Sequence, residues 1–237
     1  MSRFRFKQFS VEHRQSTMKV GTDAVLLGAW ASPPPGNRIL DIGTGCGVIA
    51  LILANRFPTT EIVAIEPDDL SAAEASSNFK ESPWSHRMSV ANTSLQKYCA
   101  QQHQPFHLIV SNPPWFNNSL KVPNNPRRNN ARHSDTLSYE DLILGAFHLS
   151  TPCSLFATIL PFSEATGFIN LACEHGWHLN QRCSIKPKAE KPVHRMLLQF
   201  GRYLPDAIDN HHLIIQNPNG HFTDDYQNLT KKFYLSF

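Results

Sequence analysis

Short apolar runs alternate along this chain with stretches in which apolar residues recur at helical spacing. A short apolar run bounded by turn residues is typical of a buried strand, and apolar residues on one helical face are typical of a helix packed on a core. The runs predict strands at residues 39–42, 61–65, 88–90, 106–110 and 155–160. Helices are predicted up to residue 30, from residue 48 onward, and at residues 68–80, 139–149 and 163–175.

The two ends of the chain show further patterns. In residues 1–7 cations alternate with phenylalanine, which predicts an amphipathic edge strand and, as the less favoured alternative, a nucleic-acid contact. Apolar runs at residues 177–185 and 193–203 flank the basic segment 186–192, and this pattern predicts an antiparallel hairpin. It is followed by a short strand at residues 212–215 and a helix with Tyr226, Leu229 and Phe233 on one face.

Composition limits the classes of protein that fit. With 237 residues and 41% hydrophobic content, the chain can bury one sizeable core, so we expect one domain over residues 1–237 with residues 1–36 as an N-terminal extension. A net charge of +3 says little about partners. Five cysteines without a Cys-x-x-Cys pair fit neither a disulfide framework nor a thiolate zinc site. We therefore expect no metal and a reducing cytoplasm, and no apolar run reaches the roughly 18 residues of a membrane span.

A candidate reactive turn follows the strand predicted at residues 106–110. Asn112, Pro113, Pro114 and Trp115 stand directly after it, and the two prolines must end the strand. The Asn112 side-chain oxygen and the Pro113 carbonyl are two fixed acceptors beside an aromatic face. They would fit the exocyclic amino group of a planar base. The alternative is a strand-ending turn with an exposed aromatic residue.

A glycine-rich turn follows the first buried strand and precedes a helix. Every second position of this segment carries one residue of the motif: Asp41, Gly43, Gly45 and Gly47. The three glycines permit positive φ and close approach of a ligand to the backbone. A dinucleotide-binding fingerprint would need a further glycine where Val48 stands, so this pattern argues against a nicotinamide cofactor.

The glycine-rich turn resembles the first motif of class I S-adenosylmethionine-dependent methyltransferases. The resemblance implies S-adenosylmethionine as cofactor and places Glu66, at the end of the second strand, on the ribose hydroxyls. In many of these enzymes an acidic residue after the third strand accepts the adenine amino group. Here Asn92, Thr93 and Ser94 stand at that place, so we expect a neutral contact, with Ser94 as the candidate.

Two basic segments are candidate RNA contacts. A polar loop at residues 116–138 offers Arg127, Arg128 and Arg132 to phosphates, with an ordinary solvated loop as the alternative. The hairpin cations, together with His194 and Arg195, could likewise touch nucleic acid or serve only to keep the hairpin soluble.

The segment before the first glycine motif has two interpretations. Thr22 or Asp23 is a good N-cap for the first helix. Lys19 and Asp23 could instead line the methionine end of the cofactor pocket, which we consider the less favoured alternative.

Several segments together resemble the bacterial tRNA1(Val) (adenine-37-N6)-methyltransferase family over nearly the whole chain. They are residues 18–23 (Met-Lys-Val-Gly-Thr-Asp), 26–30, 41–45, 82–84, 111–114, 176–179, 194–195 and 233–235. The resemblance implies an α/β class I methyltransferase fold, a Rossmann-like doubly wound sheet of about seven strands with an antiparallel C-terminal hairpin. Trp115 departs from the tyrosine that the family more often has, and it keeps the stacking face without the hydroxyl.

These features predict methyl transfer from S-adenosylmethionine to the N6 amino group of an adenine in tRNA, by a cytoplasmic and monomeric enzyme without a metal. Ribosomal RNA, DNA adenine and a release-factor glutamine amide remain alternative substrates. An alternative of another class is a noncatalytic RNA-binding module with a vestigial cofactor fold.

Overall fold

The computed structural model describes residues 3–33, 36–114 and 137–236, and its central feature is an eight-stranded sheet. A separate two-stranded sheet is formed by β1 (Arg3–Arg5) and β2 (Ser10–Glu12). The strands of the large sheet are β3 (Arg38–Ile42), β4 (Glu61–Glu66), β5 (Met88–Asn92), β6 (Phe106–Ser111), β7 (Ser150–Pro161), β8 (His178–Lys188), β9 (Arg195–Gly201) and β10 (Asp209–Gln216).

Helices connect these strands and cover both faces of the sheet. They are α1 (Thr22–Trp30), α2 (Val48–Arg56), α3 (Asp69–Lys80), α4 (Leu95–Cys99), α5 (Tyr139–His148), α6 (Phe162–Glu174) and α7 (Asp224–Thr230), with a 3₁₀ turn at Ser85–Arg87.

The strand order across the large sheet is β10-β8-β9-β7-β6-β3-β4-β5. Strand β9 runs antiparallel to β7 and β8, and the other neighbouring pairs are parallel. The predicted class I fold, with a mostly parallel sheet and an antiparallel hairpin, is therefore confirmed. The sheet has eight strands rather than about seven because β10 pairs in parallel with β8 at the edge.

The apolar core lies on both sides of the sheet. Along β3, Ile39 belongs to the cluster that α1 and α2 cover, and its neighbour Leu40 belongs to the cluster that α5 and α6 cover. Successive side chains of a strand point to opposite faces, so a strand buried on both faces must be apolar at nearly every position. This requirement explains the continuous apolar runs in the sequence.

The start of α1 differs from the prediction. Its N-cap is Gly21, and no side chain makes a capping hydrogen bond there, so the predicted cap at Thr22 or Asp23 is wrong. The carboxylate of Asp23 instead accepts a hydrogen bond from Nε of Arg195 at 2.8 Å. A short acidic residue suits both roles, and here the ion pair forms.

Helix α3 is less exposed than its alanines and charges suggest. Ser71, Glu74 and Asn78 lie at positions i, i+3 and i+7 and are all buried. They face residues 12–17, which run across this side of the helix. The Asn78 amide bridges the chain, because Nδ2 donates to the carbonyls of Glu12 and Cys46 at 2.8 Å each.

The carboxylate of Glu74 organises the loop opposite it. It accepts the backbone N–H groups of Arg14, Gln15 and Ser16 at 2.6, 3.0 and 2.9 Å, and also the Ser16 hydroxyl. Burial alone would raise the pKa of Glu74, but the Ser16 hydroxyl and the three amides outweigh it and lower the pKa. The charged form is therefore the one that holds the N-terminal segment on α3.

Replacing Glu74 by alanine should destabilise the protein by roughly 2–4 kcal/mol, because several backbone donors lose their acceptor. The folded-state pKa lies below the unfolded value, so this contribution is present above the unfolded pKa and is lost as the pH falls through the folded pKa. Urea unfolding at pH 7 and pH 4 measures both effects. The control is Glu81→Ala in the exposed Arg3–Glu81 ion pair, which should cost less than about 1 kcal/mol. Equal losses for the two variants would contradict the assigned role.

Candidate active site

The glycine-rich turn and the Asn-Pro-Pro turn lie side by side at one edge of the sheet. Strand β3 pairs with β4 and β6, so Ile42 stands opposite both Ile65 and Ser111. The Ser111 hydroxyl donates to the Ile42 carbonyl at 2.9 Å. This bond joins the last residues of the two strands from which the turns emerge. The carboxyl ends of parallel strands are where open α/β sheets bind ligands.

The glycine-rich turn leaves open space in front of its backbone. Gly43, Gly45 and Gly47 have φ values of 71°, 57° and 84°, which side chains rarely allow. A Cβ at Gly47 would lie 2.5 Å from Cε1 of Phe79, so Gly47 also permits the close packing of α2 on α3. At Gly43 and Gly45 an added Cβ would meet nothing within 4 Å among the described residues. The turn is therefore a cradle that a ligand can approach closely.

The carboxylate of Glu66 is fixed at the end of β4 and faces this cradle. Oε2 accepts the Gly45 amide at 2.9 Å, and Oε1 accepts the Asp68 amide at 3.0 Å. Burial raises the pKa of Glu66 and the Asp68 charge raises it further, while the two amides act in the opposite direction. A carboxylate held in this way can accept hydroxyl donors from a ligand lying over the turn.

Asp41 is the second carboxylate at this edge, and it is fully buried. Its Oδ2 accepts the Thr44 hydroxyl at 2.6 Å, whereas Oδ1 has no well-formed hydrogen bond in the described part of the chain. Burial raises the pKa of Asp41 to about 7, and the Glu66 charge adds to this, against the Thr44 hydroxyl and the Ala50 amide, which favour the charged form. A buried carboxylate beside an open cradle suits a ligand with a positive charge.

These features fit S-adenosylmethionine. The cradle of Gly43 and Gly45 admits close approach, Glu66 supplies an acceptor for ribose hydroxyls, and Asp41 supplies negative charge near a cationic methionine moiety. The predicted positions Asp41, Gly43, Gly45, Gly47 and Glu66 are thus brought together, and their contacts with the cofactor remain a prediction.

The corner expected to bind the adenine ring has an acidic residue after all. Asn92 pairs with Glu66 across β4 and β5, and its Nδ2 donates to Oδ1 of Asp69 at 2.7 Å. Ser94 is the N-cap of α4, where its hydroxyl accepts from the Lys97 amide at 3.4 Å. Asp69 comes from the first turn of α3, so the sequence after β5 does not reveal it.

The Asn-Pro-Pro turn presents Asn112 at the edge. Asn112 is half-buried, Pro113 is buried and Pro114 is exposed. Among the described residues no group hydrogen-bonds the Asn112 side chain, so its amide is available to a substrate. Of the other predicted residues, Trp115, Arg127, Arg128 and Arg132 lie outside the described residues.

The predicted RNA contacts His194 and Arg195 also lie at this edge, in different surroundings. Arg195 opens β9 opposite Pro161 and pairs with Asp23, so its charge is largely matched within the protein. His194 is exposed, and its carbonyl accepts the Phe162 amide at 3.1 Å. Lys19 donates to the His13 carbonyl at 2.6 Å, and its predicted cofactor contact stays a prediction.

No group of three or more His, Cys, Asp or Glu side chains in residues 3–33, 36–114 and 137–236 is arranged to hold a metal ion. Within the same ranges, no helix has both the length and the apolar character needed to cross a bilayer.

Known proteins resemble this chain in sequence and in fold. The model of the methyltransferase small domain family matches residues 15–125. The tRNA1(Val) (adenine(37)-N6)-methyltransferase of Pseudoalteromonas translucida is 43% identical over 99% of both chains. The Vibrio campbellii protein of the same name is 39% identical over 98% of this chain and 95% of its own.

One solved structure similar in fold is a predicted O-methyltransferase from Agrobacterium tumefaciens, with a TM-score of 0.68. The match covers 89% of this chain and 96% of that chain. At 20% identity, this likeness speaks to the fold alone.

Replacing Asp41 by asparagine should stabilise the ligand-free protein at pH 8 and weaken S-adenosylmethionine binding. The pKa of Asp41 is about 7 in the folded protein and 3.8 for an ordinary aspartate, so the folded protein binds the Asp41 proton more tightly than the unfolded chain does. The folded protein therefore loses stability as the pH rises from about 3.8 to about 7. Asparagine retains an acceptor for Thr44 without the charge, and the gain at pH 8 could reach about 4 kcal/mol.

Urea unfolding of both proteins at pH 5 and pH 8 tests this expectation, with exposed Asp206→Asn as the control. The advantage of the Asp41 variant should be larger at pH 8 than at pH 5. The same pH dependence in wild type and variant would contradict the burial argument.

Proposed function

Because this chain belongs to the tRNA1(Val) (adenine(37)-N6)-methyltransferase family, we propose that it methylates the N6 amino group of adenine 37 in tRNA1(Val). The methyl donor is S-adenosylmethionine. The observation that carries the proposal is the position of Asn112. Asn112 directly follows β6. The last residue of β6, Ser111, is hydrogen-bonded to β3, and β3 leads into the glycine-rich turn.

The Asn-Pro-Pro turn holds the amino group that is methylated. The Asn112 side-chain oxygen and the Pro113 carbonyl accept its two N–H bonds, and the proline rings limit how far these acceptors can move. Two accepted hydrogen bonds draw electron density toward the nitrogen and direct its lone pair away from the turn. The base ring stacks on Trp115, which provides an aromatic face.

The glycine-rich edge holds the other reactant beside the first. S-adenosylmethionine, when bound, supplies the electrophilic methyl group and the leaving sulfur. Glu66 accepts the ribose hydroxyls, and the backbone at Gly43 and Gly45 leaves room for the ligand. The protein contributes mainly position, because two reactants held in line react as if in one molecule.

No strong base is required by this chemistry. The Asn112 side chain is an acceptor and cannot take up a proton at neutral pH. The proton of the methylated amino group leaves to solvent after the transfer.

For the adenine ring of the cofactor we infer a contact at the end of β5. Ser94 and Asn92 are the neutral candidates, and Asp69 brings a carboxylate to the same corner. An acidic residue from α3 would take the place of the acidic residue that many class I methyltransferases have after this strand. Ser94 caps α4 with its hydroxyl, and its carbonyl already accepts the Tyr98 amide at 2.9 Å.

We further infer that a single catalytic domain extends over residues 1–237 with residues 1–36 as an extension, and that the enzyme is monomeric and cytoplasmic. The described part of the extension is held by Glu74 and by a hydrogen bond from the Lys7 amide to the Phe233 carbonyl at 2.8 Å. Arg127, Arg128, Arg132 and His194 are the proposed phosphate or base contacts. A base in an anticodon loop is unpaired, so its presentation to Asn112 costs little.

Replacing Asn112 by alanine should lower kcat by about 100- to 1,000-fold, because one of the two acceptors for the amino group is lost. The substrate is total tRNA from a strain lacking this protein, with labelled S-adenosylmethionine, followed by nucleoside analysis. Wild type should produce N6-methyladenosine in one valine tRNA. Cofactor affinity, measured by titration, should change little in the variant.

The matched control is Asn219→Ala, on an exposed turn after β10. A fully active Asn112→Ala protein would overturn the catalytic assignment. Label in ribosomal RNA or in a release factor, and none in tRNA, would overturn the proposed substrate.

A further inference from the structure

Phe162 is a large apolar side chain exposed at the edge that carries the active site. It is the first residue of α6, it follows Pro161 at the end of β7, and it is 52% exposed. Exposed single apolar residues are common on protein surfaces. This one directly follows β7, the strand next to β6, at the end where Asn112 emerges.

The strand register gives the distance between Phe162 and the catalytic turn. Ser111 pairs with Thr158, so β7 continues three residues beyond the end of β6 before Phe162. With a rise of about 3.3 Å per residue, Phe162 stands roughly 10 Å beyond Asn112 along the strand direction. The two side chains are therefore too far apart to hold the same base.

A second exposed residue with a ring, His194, is joined to Phe162 through the backbone. The Phe162 amide donates to the His194 carbonyl at 3.1 Å, and the His194 amide donates to the Ile185 carbonyl at 2.8 Å. His194 is exposed as well. The backbones of both residues are thus fixed by hydrogen bonds, and both side chains are exposed. Because these backbones are already ordered, a ligand that binds here removes little of their conformational entropy.

The charges near these rings favour a polyanion. The hairpin that joins β8 to β9 carries Lys186, Lys188 and Lys191, with Glu190 as its one acidic residue. Neighbouring Arg195 is already paired with Asp23, so the lysines supply the unmatched positive charge. Exposed rings beside unmatched cations are the combination that binds single-stranded nucleic acid.

We propose that Phe162 and His194 form a stacking platform for nucleobases that flank the target adenine in the RNA substrate, with the hairpin lysines contacting the phosphates. The inference rests on the proposed function and adds a second binding site for the same RNA. Stacking needs only the face of a base, so Phe162 contributes affinity and positioning rather than recognition of one base.

The first test is steady-state kinetics of Phe162→Ala on the tRNA substrate. The KM for tRNA should rise roughly 5- to 100-fold, as expected for one lost stacking contact, while the KM for S-adenosylmethionine stays unchanged. Phe162→Trp should restore the wild-type KM, and Phe162→Leu should not, because leucine is apolar but has no ring. The control is Tyr203→Ala, which removes a 56% exposed ring beyond the other end of β9.

The second test uses an anticodon stem-loop RNA in which a nucleotide next to the target adenine is abasic. Wild type should bind the abasic RNA more weakly than the intact RNA. Phe162→Ala should bind the abasic RNA no more weakly than it binds the intact RNA, because the stacking partner is already absent from the protein.

The outcomes separate this inference from the proposed function. If wild type methylates tRNA and Phe162→Ala keeps the wild-type KM, or if leucine rescues it fully, the platform is overturned and the proposed function stands. If wild type methylates no RNA, both are overturned.

Discussion

The carboxylate of Glu66 joins the parts of the chain that meet at the edge of the sheet where the glycine-rich turn lies. It accepts backbone N–H groups from the glycine-rich turn and from Asp68, the residue that caps α3. The carboxylate of Asp68 in turn accepts the backbone N–H and the hydroxyl of Ser71. Ser71 then accepts the amide of Thr17 at 3.4 Å. A buried carboxylate is costly unless several donors satisfy it. Here the hydrogen bonds of Glu66, Asp68 and Ser71 form one network that connects the turn, the helix and the N-terminal segment.

This arrangement places two carboxylates at the edge of an otherwise apolar sheet. Burial raises the pKa of Asp41 and of Glu66, and the charge of Glu66 adds to the effect on Asp41. In the absence of a ligand, both groups therefore work against folding at neutral pH. Such a cost fits the proposed role of both residues in cofactor binding, and the surrounding apolar core of β3, β4 and β6 offsets it.

Much of the fold and part of the site could be predicted from the sequence because local chemistry dictates them. Strands β3, β4 and β6 are buried on both faces, so they read as continuous apolar runs, and glycine or proline marks their ends. The sequence of α3 does not show that its polar face is buried, because residues 12–17 that cover this face lie more than fifty positions away. The sequence likewise suggests a cap at Asp23, because its partner Arg195 lies 172 residues further along the chain.

The pair His194 and Arg195 shows what burial and pairing add to a basic motif. Both residues suggest nucleic-acid contacts because they are cationic or can become so, and the sequence does not show which of the two is paired within the protein. In the structure they stand at the start of β9, where successive side chains point in opposite directions. Arg195 points toward α1 and meets Asp23, whereas His194 remains exposed beside Phe162. The proposed RNA surface is therefore defined by the cations that the fold leaves unmatched, and an apolar ring with no basic character can belong to it.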